Sequence, residues 1–484
     1  MRLARGAPRR GRAARRRDVL AYVALALLGA LLAAAPAGAA RPLELGFYDG
    51  AFSGPAGATW LARGAGAGAD VVRIDVGWDA PDVRVRPAGF DARDPADPHY
   101  DFAAADAAIR AASADGLRVI AAFTGAPRWA EGKGRPRSAP QGTWRPDPRA
   151  LRDYGVALAR RYSGSFPDPQ APGRTLPRVT AFQLWNEPNL SKYLTPQWSG
   201  SRTAAPAWYR RMLNAFYAGV KSVDPGALVV TAGTAPFGDP DPGGERIMPA
   251  RFVRDLLCLR ETAGGALRST GCGDPAHFDA LAHHPYSVGA PDTAALNDDD
   301  VSIPDLGKLV RLLRAAERSG GALPRVRHPL WVTEVGYNTQ PPNPYGVPVA
   351  LAAQWTARTL ELLWGEGVAL VCWNTIVDQP PVPSYLMTSQ SGVYYLDGRP
   401  KPTLRAFRFP FVAARAGRAG VELWGRAPAA GRLVLERRDG ARWSAVHALV
   451  VGARETFLVR LRAPGAVVWR ARVGRQTSIA WRLS

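Results

Sequence analysis

Strand and helix signals alternate along residues 43–375, and this alternation is the strongest constraint on the fold. Short apolar runs occur at 43–47, 71–76, 117–123, 179–187, 228–232, 278–284, 330–334 and 369–375. Between them lie segments with apolar residues at helical spacing, such as Leu151, Tyr154, Leu158 and Tyr162, or Tyr209, Leu213, Phe216 and Val220. Asp101 is placed to cap a helix over 102–115, and Asp147-Pro148 to start one that Gly164 closes. Such alternation specifies a parallel sheet with crossover helices. Eight units specify an α/β fold, the (β/α)8 TIM barrel. Long Gly/Pro-rich loops follow the strands, at 77–100, 124–147, 188–203, 233–248, 287–303, 338–348 and 376–402. In this fold the loops after the strands build the active site.

The pattern changes after Pro402. Residues 419–484 show only short alternating runs separated by turns such as Asp439-Gly440 and Pro464-Gly465. A small antiparallel β-sandwich is expected there. The chain thus divides into 1–40, a barrel over 41–408 and a sandwich over 409–484. Leu404, Phe407 and Phe409 need apolar cover, so the sandwich is expected to pack on the barrel flank.

Two strand ends carry a carboxylate where a core would not place one. Residues 179–190 read Val-Thr-Ala-Phe-Gln-Leu-Trp-Asn-Glu-Pro-Asn-Leu, and Pro188 ends the run just after Asn186 and Glu187. Residues 330–339 place Glu334 after a short apolar run and before Gly336. Two such glutamates suit glycoside hydrolysis, which needs an acid/base and a nucleophile.

The two segments resemble the fourth- and seventh-strand motifs of clan A of the glycoside hydrolases. The flavour is nearest to families 39 and 5, with a cellulase-like or glucanase-like catalytic domain. The resemblance implies a (β/α)8 barrel and a retaining O-glycosidase, with Glu187 as acid/base and Glu334 as nucleophile. It implies that Asn186 accompanies the acid/base and that Arg73 lies beneath the nucleophile. In His284-Pro285-Tyr286, it implies that Tyr286 bonds Glu334 and that His284 assists the acid/base or the substrate. Trp373 is matched to a sugar-stacking platform. Trp78, Trp129, Tyr193, Trp198 and Tyr337 lie in the long loops, where each is either a further subsite or packing. The third strand ends in Phe123-Thr124-Gly125, without the His that many family 5 members carry, which leaves the subfamily open.

Residues 1–40 combine eight Arg, an apolar run over Val19–Ala35 and Ala37-Gly38-Ala39. This is the pattern of a secretory signal, so a secreted or cell-surface protein is expected, with an uncleaved anchor as the alternative. That segment accounts for +7 of the formal charge of +21. The remaining excess of Arg is scattered, with no basic run or motif of a nucleic-acid binder. The expected partner is a polysaccharide or oligosaccharide substrate, bound by a monomer without cofactor. His277, His283 and His284 lack Glu or Cys at metal-site spacing, so no metal is expected. The acidic stretches 239–245 and 297–300 read as solvated loops, with calcium as the alternative. Cys258 and Cys272 are placed to form a disulfide in an exported protein, and Cys372 reads as an inert buried thiol. A non-catalytic sugar-binding or wall-associated protein on a barrel scaffold is the rival reading. A serine esterase would need a Gly-x-Ser-x-Gly elbow, which the chain lacks.

Overall fold

The computed structural model describes residues 40–78, 85–417, 419–462 and 467–483. The expected signal segment lies outside these residues, save for its last. Eight parallel strands form one sheet: β1 (Glu44–Tyr48), β2 (Val71–Asp75), β3 (Arg118–Phe123), β4 (Ala181–Leu184), β5 (Leu228–Val230), β6 (Leu281–His283), β7 (Leu330–Val335) and β8 (Val368–Asn374). Their order is β6-β7-β8-β1-β2-β3-β4-β5. Parallel bridges from Val230 to Ala280 and from Thr234 to His283 bring β5 back to β6 and nearly close the barrel. A helix follows each strand: α1 (Gly57–Gly66), α2 (Ala103–Ala114), α3 (Pro148–Arg161), α4 (Ala205–Lys221), α5 (Pro249–Leu256), α6 (Gly307–Ser319), α7 (Val349–Gly365) and α8 (Pro402–Arg408).

The caps act as the residues suggest. Asp101 accepts from the Ala103 amide at 3.0 Å, and Asp147 from Arg149 at 2.8 Å. α1 is not among the expected helices: six of its ten residues are Gly or Ala, which leaves few large apolar side chains to mark a face.

Strand alternation sorts the apolar residues into two layers. Val71, Ile120, Ala181, Val230, Ala280, Ala282, Trp331, Leu370 and Cys372 fill the barrel interior. The outward positions pack on the helices in the main core. Cys372 is a free thiol that burial pushes up to about 12, so it is inert. The expected disulfide is present: Cys258 and Cys272, 5.8 Å apart at Cα, close the hairpin Leu259–Glu261 with Leu267–Ser269.

Among the described residues beyond α8 the regular elements are strands: β9 (Phe411–Ala416), β10 (Gly420–Arg426), β11 (Gly431–Asp439), β12 (Arg442–Val451), β13 (Thr456–Arg462), β14 (Val468–Val473), β15 (Gln476–Thr477) and β16 (Trp481–Arg482). One antiparallel sheet runs β9-β10-β13, the other β12-β11-β14-β15 with β16 also on β14. Phe411, Leu423, Leu433, Phe457 and Trp469 build a core separate from the barrel's.

The apolar residues at the junction are divided between the two cores. Phe407 packs on Phe47 with ring centroids 4.3 Å apart, in the barrel core, whereas Phe409 belongs to the sandwich core. The sandwich also reaches into the barrel flank. Trp424 of β10 joins the barrel core beside Trp364 of α7. Arg426, 1% exposed, donates to Asp70 Oδ2 at 2.5 Å and to Leu43 O at 3.1 Å. Removing one partner of a buried ion pair leaves the other uncompensated, at a cost of about 3–5 kcal/mol. Asp70 keeps Arg454 at 3.1 Å, so the low end applies. Arg426→Ala is therefore expected to lower stability by about 3 kcal/mol in denaturant unfolding. A loss below about 1 kcal/mol would show that apolar contact alone holds the two parts together.

Candidate active site

The site is assembled where β4, β6, β7 and β8 end, over a side chain from the middle of β2. Past Leu184 the backbone leaves the sheet sharply, with Trp185 at φ +75 and Glu187 at φ +35. Positive φ is unfavourable for such side chains and has to be held by its surroundings. Here the Trp185 indole donates to Tyr193 O at 2.8 Å, and the Glu187 amide donates to Gly233 O at 3.0 Å. The turn presents Glu187 over the barrel mouth.

Glu334 reaches the mouth by a different device. On β7, Val332 pairs with Val371 and Val335 with Trp373 of β8, so β7 holds one residue more than its partner. This bulge breaks the alternation and lets Thr333 and Glu334 both face inward. Thr333 Oγ1 accepts from Gln183 Nε2 at 3.0 Å inside the barrel.

Around Glu334 the charges are arranged to keep it ionised. Arg73, buried at the centre of β2, donates from Nη1 to Glu334 Oε1 at 2.6 Å and from Nη2 to Asn186 Oδ1 at 3.1 Å. Its guanidinium carbon lies 4.2 Å from the Tyr48 ring centre. Burial opposes the Arg73 charge, but Glu334, Tyr48 and Asp75 outweigh it and hold the guanidinium firmly protonated. Tyr286 donates its hydroxyl to Glu334 Oε2 at 3.1 Å and receives Asn374 Nδ2 at 2.6 Å. Burial alone would raise the Glu334 carboxyl. The charges of His284 and Arg73, with hydrogen bonds from Arg73 and Tyr286, instead hold it below the ordinary glutamate range.

His284 joins the two carboxylates. Its Nδ1 is 3.0 Å from Glu187 Oε1, and its Nε2 is 3.0 Å from Thr333 Oγ1 and 3.8 Å from Glu334 Oε1. The ring fits only because residue 233 is glycine: a Cβ there would fall 2.1 Å from His284 Nε2. His283 faces away, between Thr234 Oγ1 and Val301 O, and burial lowers it to about 3, so it stays neutral and structural.

The structure thus brings together Glu187, Glu334, Arg73, Asn186, His284 and Tyr286, but not Trp373. The expected stacking platform is corrected here. Leu370 and Cys372 face inward, so Trp373 faces outward by alternation. It is 1% exposed, with its indole N–H on Ser391 O at 2.9 Å, and offers no face to a sugar. The next residue, Asn374, takes the inward position and bonds Tyr286. Alternation sets Cys372 and Trp373 on opposite faces, but the run itself does not show which face is inner. Thr333 and Tyr48 were also missed; Tyr48 lies under Arg73 and donates to Asp75 at 2.9 Å. Among the loop aromatics, Trp78 is buried against Tyr154 and is packing. Trp198 lines a cavity of about 560 Å³ together with Trp144 and Lys192. Three carboxylates of the acidic loops serve the fold: Asp239 pairs with Arg246, Asp299 with Arg254, and Asp300 accepts from the Gly238 amide.

No family model matches the sequence, and no curated protein does. Among solved structures, the fold is similar to that of a family 39 glycoside hydrolase from the gut symbiont Bacteroides cellulosilyticus WH2. That pair shares 19% identity over 87% of this chain and 81% of the other, with a TM-score of 0.52. It is also similar to a glucosidase from Croceicoccus marinus, at 14% identity over 91% of this chain and 98% of the other, with a TM-score of 0.51. The structural neighbours of this chain are clan A glycoside hydrolases, and what it shares with them is the nearly closed eight-stranded barrel.

Proposed function

We propose that this chain is an exported, retaining O-glycoside hydrolase that cleaves a polysaccharide or oligosaccharide by double displacement. One observation carries the reading: a single buried imidazole lies between two strand-end glutamates whose surroundings differ. Glu334 alone also holds Arg73 and Tyr286. Paired carboxylates in unlike environments take unlike roles.

Glu334, the ionised member, attacks the anomeric carbon. Glu187 gives its proton to the glycosidic oxygen as that C–O bond breaks. A glycosyl ester forms on Glu334, and the leaving sugar departs as an alcohol. Glu187, now a carboxylate, takes a proton from water, whose oxygen displaces Glu334 and restores the first configuration. Arg73 and Tyr286 receive the Glu334 carboxylate again as it leaves. The charge of Arg73 is fixed and buried, so it needs no reorganisation during the reaction.

The test is a panel of aryl glycosides, with the first-formed sugar anomer followed by proton NMR. Turnover with the anomeric configuration of the substrate retained is expected. Inverted product would contradict double displacement. Binding of sugars without turnover of any substrate would favour the rival, a non-catalytic carbohydrate-binding barrel.

A further inference from the structure

A cavity of about 380 Å³ opens beside the nucleophile, between the loops that follow β6, β7 and β8. Tyr286 and Asn374, which hold Glu334 through one hydrogen-bond chain, form its inner wall. Tyr337 and Trp355, in edge contact at 5.1 Å between ring centroids, form an aromatic floor. Asn338 and Ser389 add an amide and a hydroxyl. Among the described residues, its lining includes no Asp, Glu, Lys, Arg or His. That is unexpected in a chain whose formal charge of +21 still leaves +14 once the +7 of residues 1–40 is set aside, a balance that invites an anionic ligand.

One ring at the outer edge stands free. Tyr345 lines the cavity and is 75% exposed. The loop that carries it is held on both sides. Its stem is the paired Thr339–Gln340 and Val347–Pro348. At its base Asn343, itself buried, accepts from the Tyr345 amide at 2.9 Å and donates to Gln390 Oε1 at 2.8 Å and Tyr385 O at 3.2 Å. An exposed aromatic on a braced loop is pre-organised for stacking and loses little freedom on binding.

We infer that this cavity binds a neutral sugar unit, the one next to the sugar attacked by Glu334, and that Tyr345 is its stacking face. An aromatic face covers the apolar C–H side of a pyranose, while the amides and hydroxyls take its hydroxyl groups. A uronate or sulfated sugar would bury its charge here with no cation to meet it. The inference rests on the glycosidase reading only for the position of this sugar relative to the bond cleaved; binding itself does not require turnover.

The experiment is isothermal titration of the Glu334→Gln protein, with and without Tyr345→Ala or Tyr345→Phe. The probes are cellotriose, xylotriose, mannotriose and the charged trigalacturonate. At least one neutral triose is expected to bind, more tightly than trigalacturonate. Tyr345→Ala should weaken it about tenfold, the upper range of an aromatic contact, and Tyr345→Phe should restore it. Tighter binding of trigalacturonate, failure of all three neutral trioses, or equal affinity in the Tyr345→Ala protein would each overturn the assignment. A non-catalytic sugar-binding barrel would still pass this test, so its failure is separable from failure of the proposed hydrolysis.

Discussion

Glu334→Ala is expected to lower turnover of any substrate the parent cleaves by about 10⁵-fold or more, since it removes the group that forms the covalent intermediate. The change leaves a gap faced by Arg73, whose charge was matched to the missing carboxylate. Azide is an anion small enough to enter such a gap. It should restore cleavage by attacking the anomeric carbon from the face Glu334 used, with Glu187 still protonating the leaving oxygen. One displacement then replaces two, and the product is a glycosyl azide of inverted configuration. Azide product of retained configuration would mean that the roles of Glu187 and Glu334 have been exchanged. Unchanged turnover would place the site elsewhere.

Glu187→Ala is expected to divide substrates by leaving group. A dinitrophenolate needs little protonation to depart, so glycosyl-enzyme formation should stay within about tenfold of the parent. A sugar leaving group needs a full proton, and its cleavage should fall about 10³-fold. For the activated substrate the second step becomes slow, because no base draws the proton from water, and the glycosyl-enzyme accumulates. Azide needs no base and should release it as a glycosyl azide of retained configuration. An equal loss on both substrate types would point instead to a broken site. The route to such damage runs through His284, which loses its 3.0 Å partner, so the circular dichroism and melting temperature of the variant should accompany the kinetics.

Both glutamates were legible in the sequence for a simple reason. Each ends a short apolar run at a residue that stops a strand, Pro188 in one case and Gly336 in the other. Arg73 was legible because a charge flanked by Val72 and Ile74 has to point either into the barrel or into the helix layer. The closing of the barrel followed from the count of strand runs. What the runs do not reveal is phase. A strand shifted by one residue exchanges its two faces, and no residue in Ala369–Thr375 marks which face is inner. Trp373 was read as inward for that reason, when Asn374 is. The bulge that turns Glu334 inward leaves no local sign either, because it is a mismatch in length between β7 and β8. The φ of +35 at Glu187 is likewise set by distant partners, chiefly Gly233.

The central claim is that Glu334 becomes covalently glycosylated. It is tested most directly with a 2-deoxy-2-fluoro aryl glycoside of whichever sugar the parent cleaves. The fluorine slows both displacements by disfavouring their oxocarbenium-like transition states, and a good leaving group speeds only the first, so the intermediate accumulates. Protease digestion and tandem mass spectrometry then locate the label. The account predicts one sugar per chain, on Glu334, within the peptide that contains Trp331-Val332-Thr333-Glu334. A label on Glu187 or any other residue would contradict it, as would an unlabelled chain that still turns over the ordinary glycoside with inversion.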